Sequence, residues 1–306
     1  GQADIQNRVI RHVDERTFRR DPLRAIRAAQ FAARLEFTIA PETMALCRTL
    51  DLDGLARERV MGEMEKALTR SKRPSRCFEA LREMGQLELW LKEVAALIGV
   101  KQRADCHPEG DAWTHTMLVV DEAAKLRDEA KNPAGLMLAA LLHDVGKAVA
   151  MQEKNGVIHA YGHETAGVPL AEDFLRRLTG EKALCRYVLN MVELHMKPNM
   201  YAAQNSGQKA WNRLFDRSAC PEDLLLLAKA DHRGRINAAP YAETERTILA
   251  RLSAYEEMMA RPHITGADLL ARGIQPGEEM GRLLEEAHRL RLAGVKKEDA
   301  LRQMRL

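Results

Sequence analysis

An uncharged apolar run in this chain ends at a pair of potential metal ligands. Residues 136–142 carry no charge, and His143 and Asp144 follow directly, with Gly146 and Lys147 just behind them. Neighbouring residues on a helix lie about 100° apart, so both side chains can point to one cation at the helix surface. The uncharged run predicts a buried helix, where an unpaired His or Asp would be costly. Either a bound metal compensates the pair, or the two side chains hydrogen-bond to each other and cap a core helix.

Further potential ligands lie along the chain beside predicted helices: His115, His163, His195 and Asp231. Taken alone, each histidine is better explained as a surface or hydrogen-bonded residue than as a ligand. The order His, His-Asp, His, His, Asp resembles the HD-domain metal-dependent phosphohydrolases. The resemblance implies a principal metal held by His115, His143, Asp144 and Asp231. It also implies that His163 and His195 hold a second metal or contact phosphate.

This set of ligands indicates metal-assisted hydrolysis of a phosphoester. Imidazole nitrogens and carboxylate oxygens suit a divalent ion such as Mg, Mn, Co or Ni rather than a thiolate zinc site. A bound divalent ion lowers the pKa of a coordinated water, and the resulting hydroxide can attack phosphorus. Lys147 could neutralise charge on the phosphoryl oxygens, although a solvated lysine at a helix end explains it equally. His107 is interpreted as loop packing or the rim of a pocket.

The composition is that of a soluble, helix-rich protein of modest charge. The chain has 306 residues, of which 46% are hydrophobic and 30% charged, with a net charge of +3. It is long enough for more than one domain, and its Leu, Ala, Arg, Glu and Met content favours helices. No signal peptide is visible, and the longest apolar run, residues 134–142, is too short to cross a bilayer. The cysteines form no CxxC motif, which indicates reduced thiols and a cytoplasmic location: Cys47, Cys77, Cys106, Cys185 and Cys220.

Helical periodicity dominates from Thr17 onward, and the one good strand candidate is residues 5–13. Loops are predicted at residues 40–41, 71–74, 104–110, 132–135 and 156–162.

A second site is indicated on the predicted helix that begins near Asp21 and Pro22. At 3.6 residues per turn, one stripe holds Arg20, Arg24, Arg27, Phe31 and Arg34, and the opposite apolar face holds Ala25, Ile26, Ala29, Ala32 and Ala33. Neighbouring guanidinium groups repel one another unless an anion lies close. The alternative is an amphipathic helix with a solvated basic face.

Residues 20–37, RDPLRAIRAAQFAARLEF, resemble the signature helix of the bacterial class II CCA-adding tRNA nucleotidyltransferases. The similarity continues through residues 1–8, 39–43, 58–60 and 264–270, so it covers nearly the whole chain. Together with the HD pattern, it implies a member of that family with a C-terminal HD domain.

The resemblance also implies a nucleotide site on this helix. The positions that match Asp21 and Arg24 read the Watson–Crick edge of CTP or ATP, and the position of Arg27 also serves the nucleotide. A carboxylate accepts hydrogen bonds from the amino group of a base, and a guanidinium group donates hydrogen bonds to its ring nitrogens and carbonyl oxygens. Arg59 and Glu63, spaced i and i+4, are expected to form a helix ion pair that supports this site.

The chain departs from the family pattern in the residues that transfer the nucleotide. Nucleotidyl transfer needs paired carboxylates for two metals, preceded by a Gly-rich segment. No Gly-Gly pair occurs, and Asp51 and Asp53 precede Gly54 in what we interpret as a turn. We therefore expect no CCA addition by this chain alone, and a parent protein with the catalytic head before Gly1.

The sequence thus predicts an all-α fold: a helical neck and body, then an HD-domain helical bundle, with a short β remnant at the N-terminus. The predicted regions are a remnant of the head (1–16), a neck that binds nucleotide and RNA (17–95), an HD phosphohydrolase domain (96–240) and a helical tail (241–306).

The predicted function is tRNA 3′-end maturation and repair, with hydrolysis of 2′,3′-cyclic phosphates, 2′-nucleotides or other phosphomonoesters. The expected partners are the tRNA 3′ end and nucleotides, with no membrane; homodimerisation is left open. Two alternatives remain: a non-catalytic body that binds tRNA and nucleotide, or an HD hydrolase of free nucleotides.

Overall fold

The computed structural model describes residues 1–103, 105 and 107–306, so Cys106 lies outside the described residues. Their regular secondary structure is helical apart from two short two-stranded sheets, which confirms the predicted all-α class. The helices of the first half are α1 (Gln2–Gln6), α2 (Glu15–Arg19), α3 (Leu23–Leu35), α4 (Pro41–Arg48), α5 (Arg57–Arg70), α6 (Ser75–Glu83), α7 (Glu88–Ala95), α8 (Ala112–Leu126) and α9 (Pro133–Leu142), with a 3-10 turn at Arg127–Glu129. Those of the second half are α10 (Lys147–Ala150), α11 (His163–Leu178), α12 (Lys182–Leu194), α13 (Met196–Ala203), α14 (Gln208–Arg217), α15 (Pro221–Arg233), α16 (Ala242–Ala260), α17 (Gly266–Leu270), α18 (Glu278–Leu292) and α19 (Lys297–Gln303).

The chain divides into two compact units. The first comprises Gly1–Met196 and Glu222–Tyr241, and the second comprises Lys197–Pro221 and Ala242–Leu306. Within the described residues, no helix is both long and apolar enough to span a bilayer. The division into four functional regions stays a prediction.

Helix α9 is the centre of the first unit. Every residue from 136 to 142 is at most 1% exposed, as the uncharged run predicts. Helices α5, α8 and α12 pack around α9. Its N-terminus is fixed by the buried Asp223, which accepts from the backbone N–H groups of Lys131 at 2.8 Å and Asn132 at 2.9 Å. The core therefore fixes the position of the His143-Asp144 pair at the other end of α9.

The neck helix α3 buries the predicted apolar face. Ala25, Ile26, Ala29, Ala32 and Ala33 are all buried, and α3 packs on α5 and α6. The arginine stripe lies on the opposite side, as an amphipathic helix requires.

The predicted strand over residues 5–13 is shorter than expected. Ile5 lies in α1. The strand is limited to β1 (Val9–Ile10), which pairs in parallel with β2 (Thr38–Ile39). Arg8, at φ +56°, turns the chain between α1 and β1. Strand β2 is two residues long, so β1 has no partner for a longer ladder.

The predicted loop over residues 156–162 is wrong in part, because it contains a strand of a hairpin. Strand β3 (Gln152–Lys154) pairs antiparallel with β4 (Val157–His159). Asn155 and Gly156, at φ +54° and +74°, form the two-residue connection. Positive φ at both positions is the type I′ geometry that an Asn-Gly pair favours.

The second unit packs α14 against α16 and α18. In the tail, Ile264, Leu269, Ala287 and Ala300 form a small core. Thr265 caps α17 through a capping box with Asp268, which ties two orphan N–H groups of the helix start to side chains.

Candidate metal centre

Seven side chains singled out from the sequence meet in the first unit. They come from the first turn of α8, the C-terminal ends of α9 and α12, the turn that follows α9, the starts of α10 and α11, and the end of α15: His115, His143, Asp144, Lys147, His163, His195 and Asp231. All seven are buried. The structure therefore brings together every residue predicted for the metal or the phosphate.

The two aspartates lie among the imidazole rings. Asp231 Oδ1 lies 3.0 Å from His115 Nε2. Asp144 Oδ2 lies 3.2 Å from His143 Nε2, and its Oδ1 lies 3.1 Å from His163 Nε2. His163 Nε2 and His195 Nε2 are 3.4 Å apart. Asp144 thus contacts histidines on both sides with its two oxygens.

The rings are held so that Nε2 faces the centre. The Nδ1 atoms of His143, His163 and His195 bond the carbonyl oxygen three residues earlier, at 2.9, 2.8 and 2.7 Å respectively. A carbonyl oxygen only accepts, so Nδ1 must donate, and a neutral ring then carries its lone pair on Nε2. This is the arrangement that orients imidazole ligands in metal sites.

The atoms at the centre fit a divalent cation. The triad His115, His143 and Asp231 and the triad Asp144, His163 and His195 each place their ligand atoms within 4.8 Å of one another. His143 Nε2 is buried and makes no acceptable hydrogen bond to any described residue. A buried polar atom without a partner is costly, and a metal ion on that lone pair would remove the cost. Nitrogen with carboxylate oxygen is a ligand set for Mg or a divalent transition metal.

The electrostatics keep both aspartates ionised. Burial raises the pKa of Asp144, but His143 and Lys147 more than offset it and hold that pKa well below the usual range. Burial also raises the pKa of Asp231, but the hydrogen bond with His115 and the charge of Arg235 outweigh that effect. The pKa of Asp231 is therefore also well below its usual range. Burial and the neighbouring histidines lower the pKa of His195 to about 3, so its ring is neutral, as a metal ligand must be.

The sequence interpretation missed Glu109. Its Oε1 accepts from the Nδ1 atoms of His115 at 2.8 Å and His107 at 2.9 Å, and its side chain is fully buried. Burial raises the pKa of Glu109, but these hydrogen bonds lower it to about 2. Glu109 therefore fixes the ring of one predicted ligand from behind. His107 and Glu109 lie in a predicted loop, so no helical or strand spacing in the sequence pointed to this contact.

Two glycines let the helices approach closely enough to form the centre. A Cβ atom on Gly146 would overlap the carbonyl oxygen of His163 and lie 2.5 Å from the nitrogen of Gly167. A Cβ atom on Gly234 would lie 2.5 Å from Val119 Cγ2. The first contact joins the turn after α9 to α11, and the second joins the end of α15 to α8.

A cavity of about 200 Å³ opens beside the centre. Centre residues line it together with cationic, apolar and aromatic side chains: Asp144, Lys147, His163, Asp231, Arg235, Lys101, Arg103, Met151 and Tyr161. Lys147 Nζ lies 2.6 Å from Asp144 Oδ2. A substrate with an anionic group can therefore reach the centre past cationic side chains.

The neck residues form a separate cavity of about 430 Å³. Arg24 and Arg27 line it with Phe18 and Phe31, whereas Asp21 is not among its lining residues. Asp21 instead forms an ion pair with Arg59 at 2.8 Å. The structure thus brings two of the three predicted nucleotide residues to one cavity.

The expected ion pair between Arg59 and Glu63 is wrong. Arg59 pairs with Asp21, while the buried Glu63 accepts from Arg27 at 3.0 Å and from Lys66 at 3.1 Å. The reason is that α3 packs against α5, so that Arg27 on α3 and Asp21 just before α3 offer Glu63 and Arg59 partners of opposite charge.

Comparison with known proteins gives a consistent assignment. The HD domain family matches residues 112–251, and the family described as "Probable RNA and SrmB- binding site of polymerase A" matches residues 36–98. The chain is 38% identical to the multifunctional CCA protein of Burkholderia cenocepacia (strain HI2424), across 96% of this chain and 70% of that protein. It is also 38% identical to the multifunctional CCA protein of Burkholderia vietnamiensis (strain G4), across 97% and 70%.

Solved structures share the fold. A CCA-adding enzyme with CTP superposes with a TM-score of 0.61 at 16% identity, over 99% of this chain and 64% of that one. The Thermotoga maritima CCA-adding enzyme complexed with tRNA gives 0.58 at 16% identity, over 99% and 66%. The chain therefore spans about two thirds of the length of these proteins.

Proposed function

The chain belongs to the family of multifunctional CCA proteins and carries an HD domain; from that premise we propose that its buried histidine–aspartate centre is a metal-dependent phosphohydrolase. The proposed substrates are 2′,3′-cyclic phosphates, 2′-nucleotides and other phosphomonoesters, including those at tRNA 3′ ends. The proposed site of action is the cytoplasm.

One observation carries the proposal: four Nε2 atoms and two ionised carboxylates converge in a buried pocket. His115, His143, Asp144 and Asp231 would hold the principal metal, and His163 with His195 would hold a second metal or contact phosphate. A divalent ion bound there would supply a Lewis acid for the phosphoryl group and a water of lowered pKa.

The side chains of the protein would bind and orient the phosphate. Lys147 and Arg235 line the cavity beside the two aspartates, so their charges can offset the negative charge that develops on phosphoryl oxygens. Arg235 Nη2 lies 3.5 Å from Asp231 Oδ2, which holds the guanidinium group at the edge of the centre. Glu109 would keep His115 oriented while the substrate binds.

Two reactions test this function directly: opening of a 2′,3′-cyclic phosphate to a phosphomonoester, and release of phosphate from a 2′-nucleotide. The chain is incubated with adenosine 2′,3′-cyclic phosphate or a 2′-nucleotide in Mg, Mn, Co or Ni, and the double variant His143→Ala with Asp144→Ala should lose the activity. His288→Ala is the control, because His288 is a partly exposed residue of the second unit. Full activity in the double variant would reject the assignment. Competition between a tRNA-like and a free nucleotide substrate would separate repair of RNA ends from hydrolysis of free nucleotides.

We also propose that the neck binds CTP or ATP and the tRNA acceptor arm, as CCA addition requires. The cavity lined by Arg24 and Arg27 supports this role, because guanidinium groups can donate to base edges or to phosphates. Arg24→Ala should weaken CTP binding to the chain, measured by calorimetry, without changing hydrolysis at the HD centre. Unchanged CTP binding would remove the neck from nucleotide recognition.

A further inference from the structure

An exposed aromatic pair stands where the β3–β4 hairpin leads into α11. The rings of His159 and Tyr161 are stacked, with centroids 4.9 Å apart and an interplanar angle of 16°. Tyr161 is 83% exposed, and both residues line the cavity beside the metal centre. One face of the pair is therefore preorganised and open to solvent next to a predicted phosphate site.

A tight turn connects this pair to the centre. Tyr161 is two residues before His163, and the His163 ring and backbone both bond the carbonyl oxygen of Ala160, at 2.8 and 3.3 Å. Gly162 precedes α11 in the left-handed conformation, at φ +74°. The position of the aromatic pair is consequently fixed by the same turn that directs His163 to Asp144.

The rest of the cavity lining has the two properties that a nucleotide needs. Lys101, Arg103, Lys147 and Arg235 contribute cationic groups, and Met151, Ile158 and Met196 contribute apolar surface. Bases bind proteins by stacking on aromatic rings, and phosphates by contacts with Lys and Arg. An inorganic phosphate or a small sugar phosphate would leave the aromatic face unused.

We propose that Tyr161, supported by His159, is the base-stacking platform of the hydrolase site. The nucleobase of a substrate stacks on the exposed face of Tyr161 while its phosphoester lies at the metal centre. This inference rests on the proposed phosphohydrolase function and adds the feature that selects nucleotides over other phosphomonoesters.

Binding without turnover gives the first test. Adenosine 2′-phosphate and glycerol 2-phosphate, a secondary phosphate with no base, are titrated calorimetrically into the chain in excess EDTA. Tyr161→Ala should raise the Kd of the nucleotide roughly tenfold, since stacking on one aromatic ring contributes that order of affinity, and should leave glycerol phosphate unchanged. Tyr161→Phe should restore nucleotide binding. Val149→Ala is the matched control, because Val149 is 63% exposed on the neighbouring α10 and does not line the cavity.

The same variants are then assayed for hydrolysis in Mn, and a rise in KM for the nucleotide with little change in kcat is expected. Equal weakening of both ligands would indicate a structural role for Tyr161 and overturn the platform. Nucleotide binding that is absent from the unsubstituted chain, or unaffected in Tyr161→Ala, would overturn it as well. Nucleotide binding that depends on Tyr161, without hydrolysis in the presence of any metal, would instead reject the hydrolase function and support the stacking role of Tyr161. A trinucleotide with a terminal 2′-phosphate, run in parallel, shows whether the base belongs to an RNA end or to a free nucleotide.

Discussion

Four imidazole rings in the first unit turn their Nε2 atoms toward two carboxylates, but the partner of Nδ1 on the other side of the ring differs. His143 bonds a carbonyl oxygen, whereas His115 lies between two buried carboxylates, Glu109 and Asp231. The two ligands therefore contribute differently to the metal-free fold, although both would contact the same ion.

Replacing each of these histidines by leucine separates metal binding from stability. His143→Leu should abolish Mn binding yet change the metal-free free energy of unfolding by only about 1 kcal/mol, because Asp144 keeps its contacts with His163 and Lys147. His115→Leu should also abolish Mn binding, but it should cost roughly 3 kcal/mol or more because two buried carboxylates lose their partner. Urea unfolding in EDTA measures both. Equal destabilisation by the two variants would contradict the difference in their surroundings.

Glu109 should matter for metal affinity rather than for the presence of ligands. Glu109→Gln keeps the size of the side chain but removes the charge that accepts from His115 and His107. Loss of such a partner lowers metal affinity by about 10- to 100-fold, which calorimetric titration with Mn or Co can measure. Glu153→Gln, an exposed position on β3, is the control. If Glu109→Gln left the metal affinity unchanged, Glu109 would contribute only to packing.

At the scale of elements, the turn after α9 and the start of α11 must touch for the centre to form. In Gly146→Ala, the added Cβ atom would push residue 146 away from the backbone of His163 and Gly167. The substitution should therefore destabilise the fold by several kcal/mol, as overpacking does, and weaken metal binding. Gly62→Ala on α5 is the matched control, because its Cβ meets nothing within 4 Å. It should stabilise the chain by about 0.5–1 kcal/mol. Chemical unfolding and Mn titration of both variants are the measurements, and a harmless Gly146→Ala would show that the two segments can separate without loss.

The α17 cap gives a pH-dependent prediction. Hydrogen bonds from Lys297 and then from Thr265 hold the pKa of Asp268 well below its usual range. A carboxyl group with a depressed pKa stabilises the folded state above its unfolded pKa, about 4, and loses that contribution as the pH falls toward the folded value. Asp268→Asn should therefore lower the stability of the tail by an amount that is constant above about pH 5 and shrinks on acidification. A difference that shrinks as the pH rises would contradict this sign; denaturant unfolding across the pH range measures it.

The sequence predicted elements better where the signal extended over several residues than where it was a single turn. The uncharged run before His143 and the alanine face of α3 correctly predicted buried helices, because both patterns extend over two turns or more. The β3–β4 hairpin was missed although Asn155-Gly156 is a strong turn signal, because its strands have three residues each and little alternation.

The hydrogen-bond and ion-pair partners of side chains were harder to predict than the positions of the helices. Glu109 lies in a segment without regular periodicity, so its contact with His115 followed from no pattern in the sequence. Arg59 and Glu63 have ideal helical spacing, but the packing of α3 on α5 supplied nearer charges to both. Local spacing shows which contacts are available; tertiary packing decides which ones form.

At the scale of the whole molecule, the chain is nearly balanced, with 47 basic and 44 acidic residues, so its net charge of +3 cannot by itself hold a polyanion. Affinity for tRNA would have to come from local groups such as the arginine stripe of α3. Arg24 and Arg27 on that stripe line the neck cavity, and the exposed Arg20 lies one turn before Arg24.

This distribution predicts how tRNA binding responds to salt. Each phosphate contact releases counterions, so log Kd should rise linearly with log salt between about 50 and 200 mM KCl. Arg20→Gln should weaken binding of all tRNAs similarly and reduce the slope by about one, as measured by fluorescence anisotropy. Arg176→Gln, an exposed arginine on α11 paired with Asp173, should leave the slope unchanged. If binding ignored ionic strength, or if both variants changed the slope equally, the neck helix would not be the phosphate-binding surface, and the basic stripe would be a solvated helix face.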